Sequence, residues 1–309
     1  MSEPTLQGIQ PRSRVMQSVF EKIRIAAAAA APVLITGEGG TPRDDVAMAL
    51  HFASSRAAAT FATIDTPAFA SGEAAAHLFG VERAGERRPG ALDELEGGTL
   101  YIDEIAALDR DLQAALARFL ESGTYARVGG KKARVADVRV VAATARDLPR
   151  LVEERAFHED LYYRLSVVRI DVPPLRERRE DILPLAHELM RVTSERWWKR
   201  VDILPADALR LLEAWSWPGN DADLAAVIES AVQLARGRKL DASLLPNALH
   251  EAAAARELIR IPLGMPLADA EREIITRTIE ASDGNKARAA TLLGISRRSL
   301  YDRLDPQKK

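Results

Sequence analysis

The chain has 309 residues, a formal net charge of −2 and no cysteine. That length admits two or three domains with a substantial core. The charge balance excludes a general polyanion binder, so any nucleic-acid contact must come from a local patch. The lack of cysteine excludes disulfides and thiolate metal sites and fits a reducing compartment.

The N-terminus, MSEPTLQGIQ, has no apolar run of the signal-peptide kind. The longest apolar stretch, Ile25 to Ile35 through six alanines, is too short to span a bilayer. A cytoplasmic protein without a membrane partner is expected. Ser13 to Ala31 reads as an amphipathic helix that turns small and apolar before Pro32, the mark of a helix end buried on a sheet. Val33–Ile35 predicts the first strand, and VLITGEGGTPRDDVAMAL (33–50) runs on into a Gly-rich turn and a helix reaching about Ser54. This strand–loop–helix layout is that of a phosphate-binding loop, in which backbone N–H groups and a helix N-terminus cradle phosphate. The pattern is G-x-x-x-x-G-K-[ST]; here Pro42 holds the second Gly position and Arg43 the Lys position. Proline offers no N–H and fixes its own φ. Arginine keeps the positive charge, but as a planar fork.

Phe61–Ile64 reads as a second strand, Ser71–Phe79 as a helix and Val81–Pro89 as a charged surface loop. Thr99–Ile102 is an apolar strand that delivers Asp103 and Glu104, a Walker B pattern in which the Asp holds Mg²⁺ and the Glu prepares the attacking water. A helix over Asp109–Glu121 and strands over Val138–Ala143 and Val167–Val172 follow. The alternation predicts a parallel α/β sheet. Beyond Pro174 the strand signal stops. Ile182–Trp198, Pro205–Trp215 and Asp221–Arg236 read as a small helical domain, with Trp197, Trp198, Trp215 and Trp217 expected in its core. Gly237–Pro266 reads as a linker. His51, His77, His158, His187 and His250 lack i, i+4 partners, so no metal site is expected.

Taken together, these motifs resemble the bacterial sigma-54-dependent activators (enhancer-binding proteins), from about Val15 to Leu304. The residues that carry the resemblance are GEGGTPRDD at 37–45, LFG at Leu78–Gly80, GGTLYIDEI at Gly97–Ile105 and DLQAALARFLESGTYARVGG at Asp111–Gly130. Further on come DVRVVAATARDL at Asp137–Leu148, FHEDLYYRLSVVRIDVPPLRERREDI at Phe157–Ile182 and WPGN at Trp217–Asn220. The resemblance implies an AAA+ P-loop-type parallel sheet over 1–173, a helical lid subdomain over 174–240, a linker over 241–265 and an all-α Fis-type helix-turn-helix domain over 266–309. It implies a nucleotide site of Gly37, Glu38, Gly39, Gly40, Thr41, Arg43, Asp44, Asp103 and Glu104, with Arg164 as an arginine finger.

The chain also departs from that family's pattern. The family's loop reads GESGTGKE. Its sigma-54 contact loop, GAFTGA, is replaced here by VERAGERRPG. Asp65 stands for the Asn after the second strand, Ala145 for the sensor Asn, His158 for the first of two arginine fingers and Ala222 for the sensor Arg. Each change removes a contribution to phosphoryl transfer; an arginine finger alone is worth about 10³–10⁵ in rate. An inactive ATPase module is therefore expected, with Asp103, Glu104 and Arg164 vestigial and the two carboxylates serving as salt-bridge partners of Arg43. ATP–Mg or another nucleotide is not expected to be required. Arg12 and Arg14, ahead of the first helix, are expected to be solvated.

The C-terminal stretch GNKARAATLLGISRRSLYDRL (284–304) predicts one helix over Lys286–Leu293, a turn at Gly294 and a second helix capped by Ser296. Ala289, Leu292, Leu293, Ile295, Leu300 and Leu304 are the expected core. Lys286, Arg288, Ser296, Arg297, Arg298, Tyr301 and Arg303 form the expected DNA-binding set. From Lys286 onward seven basic residues face two acidic ones. Arginine at the start of a recognition helix suits bidentate pairing with guanine. The helix Leu267–Ser282, with Ile274, Ile275 and Ile279, is expected to form a dimer seam, as the resemblance implies. A dimer would read a two-fold site.

The function expected is a sequence-specific regulator of transcription. It would bind double-stranded DNA and self-associate through the C-terminal and AAA+-like domains, with RNA polymerase or another regulator as a further partner. Two alternatives stay open: an ATP-hydrolysing sigma-54-dependent activator, and a regulator that senses a nucleotide or second messenger without cleaving it. No receiver-like sequence precedes Val15, so the input is expected to be a ligand, a partner or abundance.

Overall fold

The computed structural model describes residues 11–70, 72–83, 86–257, 261–282 and 284–304. Five strands form one parallel sheet: β1 Val33–Thr36, β2 Phe61–Asp65, β3 Thr99–Asp103, β4 Arg139–Thr144 and β5 Val168–Asp171. Their order is β2-β3-β4-β1-β5. Val33 pairs with Val141 on one side and Val168 on the other, and Asp65 lies opposite Asp103. Strand residues alternate between the two faces. Leu34, Ile102, Val140 and Ala142 join the helices Arg110–Ser122 and Glu159–Leu165 in one apolar layer. Val33, Ile35, Tyr101, Val141 and Ala143 join the helices Arg14–Ala27 and Arg43–Ala53 in the other. A sheet covered on both faces explains why these strands read as continuous apolar runs.

Helical segments Ile182–Arg196, Ala206–Ala214 and Asn220–Leu234 follow the sheet and belong to the same compact unit, which ends at Pro246. Asp181 joins its two parts. Its carboxylate accepts from the backbone N–H groups of Arg12 and Ser13 at 2.6 and 2.9 Å and from the Ser13 hydroxyl at 2.6 Å. Arg12 and Arg14 are exposed.

Several sequence expectations change here. Val81–Pro89 is not a loop but an antiparallel hairpin of Val81–Arg83 with Glu86–Arg88. The alanine run is buried only at Ala26 and Ala27; the helix ends there, and Ala28, Ala29 and Ala30 are exposed. Of the tryptophans, Trp217 is fully buried and donates Nε1–H to Leu212 O at 2.8 Å. Trp197 and Trp198 are not core residues: they are 48% and 95% exposed. The stretch 241–265, expected as a linker, carries a 3₁₀ turn at Ala242–Leu244 and the helix Asn247–Glu257.

The second unit begins at Asn247. Within it, helices Leu267–Glu280, Lys286–Leu292 and Arg297–Leu304 pack around Ile275, Ala289, Ala290 and Leu300, with Ile279, Leu293 and Ile295 against them. Ile275 and Ile279 thus contribute to the domain's own core. Leu292, expected in that core, is 64% exposed. Among the described residues no helix is long and apolar enough to cross a membrane.

Candidate functional site

β1 ends at Thr36 and the chain turns through Gly37–Thr41 into the helix Arg43–Ala53, which places the loop at the carboxyl edge of the sheet beside the end of β3. There the loop closes on itself. Thr41 donates its N–H to Glu38 O at 3.2 Å and its hydroxyl to the same oxygen at 2.7 Å. The Arg43 N–H goes to Thr41 O at 2.8 Å, and Pro42 has none to give. Arg43 folds back across the loop, donating Nη1–H to Gly37 O at 3.1 Å. Its guanidinium lies 3.5 Å from Asp103 and 3.8 Å from Glu104, with the Arg43 side chain 11% exposed.

The two carboxylates are held from behind. Asp103 accepts from Tyr101 OH at 3.1 Å and from Glu104 N–H at 3.0 Å. Burial, together with the Asp103 charge, pushes the Tyr101 phenol far above its ordinary pKa, so it stays a donor. Glu104 sits at φ 50, a left-handed conformation uncommon for a side-chain-bearing residue. It is bound by the Thr144 hydroxyl and, at 3.1 Å, by Ala145 N–H. Ala145 therefore contributes through its backbone where a sensor Asn would contribute a side chain.

The lid closes the other flank. Arg176 forks onto Glu38 with two contacts of 2.6 Å. Asn220, fully buried, reaches Glu38 at 3.3 Å and Gly39 O at 3.0 Å, while its own oxygen accepts from Leu175 N–H at 2.9 Å. The Arg176 fork, aided by Asn220, holds the Glu38 carboxyl down at about 2. Ala222 donates its N–H to Gly40 O at 3.1 Å. Gly40 is at φ +77, and a Cβ there would lie 2.1 Å from Gly219 O, so the lid backbone rests directly on the loop. Beneath this contact Arg178 and Asp221, 3% and 5% exposed, form a buried ion pair. Burial pushes Asp221 upward against the pull of Arg178.

The structure thus gathers Gly37, Glu38, Gly39, Gly40, Thr41, Arg43, Asp103 and Glu104 at one place, with Asp44 in the first turn of the helix behind them. Arg164 is engaged elsewhere, with Glu121 at 3.1 Å. His158 is the N-cap residue of the helix Glu159–Leu165, and its backbone N–H donates to Gln113 Oε1 at 2.8 Å. The roles of Arg176 and Asn220 went unassigned in the sequence, although both lie inside quoted motifs; only the fold brings residues 138 and 182 positions from Glu38 onto it.

In the C-terminal unit Lys286, Arg288, Ser296, Arg297, Arg298, Tyr301 and Arg303 are all exposed. Ser296 Oγ accepts from Ser299 N–H at 3.1 Å, the expected cap. Lys286 Nζ stands 4.9 Å above the Tyr301 ring, and Arg303 is paired with Glu271 at 2.6 Å.

A 5-1-4-3-2 parallel sheet with a loop of this kind and a helical lid defines the AAA+ class of P-loop proteins. Residues 9–171 match the Sigma-54 interaction domain, 176–259 the AAA+ ATPase lid domain and 266–305 the Fis family of bacterial regulatory proteins. The chain belongs to the family of sigma-54-dependent transcriptional regulators with a Fis-type helix-turn-helix, and that domain implies DNA binding. It is 37% identical to the regulatory protein LuxO of Vibrio cholerae, covering 96% of this chain and 69% of that one. It is 38% identical to the regulatory protein AtoC of Escherichia coli, covering 96% and 67%. NtrX of Brucella abortus, solved in complex with ADP, superposes with a TM-score of 0.77 at 33% identity, covering 96% of this chain and 69% of that one; it has also been solved with ATP.

Proposed function

We propose that this chain is a sequence-specific DNA-binding regulator whose AAA+ module is a scaffold for self-association rather than a working motor. One observation carries the reading: Arg43 fills the loop and spans Gly37 O, Asp103 and Glu104, where a working site keeps room for phosphate and a divalent ion. Of the loop's backbone donors, Pro42 has lost its N–H and those of Thr41 and Arg43 are turned inward, so fewer of them are left for an anion. A guanidinium against both carboxylates supplies the charge that Mg²⁺ would bring. The residues present do not fit a magnesium nucleotide.

NtrX was solved with ATP, so nucleotide binding occurs within the family; in this chain the reading assigns its loss to positions 42 and 43. The test is affinity for a fluorescent ATP analogue with Mg²⁺, measured on the native chain and on Pro42→Gly/Arg43→Lys. The reading expects no saturable binding by the native chain and a gain of at least about tenfold in the double variant, equivalent to about 1.4 kcal/mol. Native binding as tight as that of the double variant contradicts it.

A further inference from the structure

The charged segment in place of an apolar contact loop is a built surface. Strands Val81–Arg83 and Glu86–Arg88 pair with Val81 opposite Arg88 and Arg83 opposite Glu86. A second hairpin, Thr124–Tyr125 with Arg134–Val135, carries the loop 126–133. The two are stitched together: Glu82 N–H donates to Val128 O, and Val128 N–H to Gly80 O, both at 2.9 Å. Gly129, at φ +82, lets the Arg83 stem lie across it, since a Cβ there would come within 2.7 Å of Arg83 Cγ. One buried carboxylate anchors both hairpins. Asp93 accepts from Gly90 N–H at 2.9 Å at the end of the first, and in the second from Tyr125 OH at 2.8 Å, Arg127 Nε–H at 3.1 Å and Arg134 at 2.8 Å.

What this framework presents is positive charge. Arg83, Arg87, Arg88, Lys131 and Lys132 are exposed. Glu82 and Glu86 oppose them, and Glu86 is already engaged by Arg88 at 2.8 Å. The chain as a whole carries −2, so this excess is local. Val81, the apolar residue among the described positions of the first hairpin, is buried. The hairpin therefore offers an apolar partner nothing. A row of phosphates is a different matter: it binds lysine and arginine without sequence readout, driven by counterion release.

We propose that the strands Val81–Arg83 and Glu86–Arg88 and the loop 126–133 form a second DNA contact, which grips the phosphate backbone of the duplex that the C-terminal domain reads. The proposal rests on the DNA-reading role of that domain only for the choice of duplex. Because the surface is tethered to a bound reader, its local concentration reaches roughly the millimolar range, and a few weak phosphate contacts suffice.

The test is binding of the full chain to a mixed-sequence duplex of roughly 40 base pairs across a salt series. It compares the native chain with Arg83→Ala/Arg87→Ala/Lys131→Ala/Lys132→Ala, each also in an Arg297→Ala/Arg298→Ala background. Losing four phosphate contacts is expected to flatten the plot of log K against log salt by about 3 to 4 and to weaken low-salt binding at least tenfold, in both backgrounds. Arg83→Lys/Arg87→Lys is expected to bind like the native chain. Single Lys131→Ala and Lys132→Ala variants, each expected to change the slope by about 0.9, keep the test decisive if the quadruple variant does not fold. Unchanged slopes and affinities overturn the proposal, as does an effect confined to binding of RNA polymerase, which would make the surface a contact for an acidic protein. Failure of the C-terminal reader shows separately, as native-like binding by Arg297→Ala/Arg298→Ala alone.

Discussion

Two charges buried side by side, Arg178 and Asp221, tie the start of the lid to its helix Asn220–Leu234. Removing Arg178 strands a carboxylate that burial already disfavours. Arg178→Ala is expected to cost about 3–5 kcal/mol in urea unfolding, whereas Arg178→Met/Asp221→Leu recovers most of it, because paired hydrophobic replacements avoid the desolvation penalty. A double variant no more stable than the single one contradicts this. His51 gives a pH prediction. It is 1% exposed, contacts Thr99 Oγ1 at 2.9 Å, and burial pushes its pKa below the ordinary 6.5. In the window just below 6.5 the unfolded chain therefore binds the proton that the folded chain refuses, so stability falls as pH drops. Glu38 behaves differently: its folded pKa of about 2 lies below the unfolded 4.5, so its contribution is complete above 4.5 and is lost only as pH falls towards 2. Thermal melts of the native chain between pH 7 and 5 are expected to show falling Tm, and His51→Asn a flatter dependence. Equal slopes in both chains contradict the assignment to His51.

At the scale of elements, the loop and the lid helix Asn220–Leu234 meet backbone to backbone at Gly40. Gly40→Ala adds both a left-handed strain and an overlap with Gly219 O, and is expected to destabilise by more than about 1 kcal/mol. It is also expected to raise amide exchange at the start of that helix; exchange unchanged there contradicts the contact. Most of this framework was legible in sequence. Leu34, Tyr101 and Val141 lie in apolar runs that could only be strands covered on both faces, and Asp103 and Glu104 follow such a run at its carboxyl end. The hairpin at Val81–Arg88 was not legible: its strands are nearly all charged and show no alternation, and their pairing is fixed by backbone bonds to Val128, far along the chain. The helix Asn247–Glu257 was hidden by Pro246 and the glycines and prolines beyond it, although Ala252–Ala255 is a strong helix-forming run. Trp197 and Trp198 misled because a tryptophan's bulk says nothing of which face of a helix end it occupies. The site itself was half legible: the Arg43–carboxylate pairing follows from the motif, but the clamp of Arg176 and Asn220 on Glu38 needed the fold.

For the whole molecule, the proposed function makes the family's nucleotide motor a support for a DNA reader. Arg43 occupies the loop from within, and the lid is latched by Arg176 and Asn220. The basic side chains on the C-terminal helices are exposed. The most direct test is phosphate release from Mg-ATP by the purified chain over a concentration series, with and without duplex DNA, and with Asp103→Ala as the background. The account predicts release no greater than that of Asp103→Ala at every concentration. Release that rises with protein concentration and vanishes in Asp103→Ala would contradict it and restore the motor.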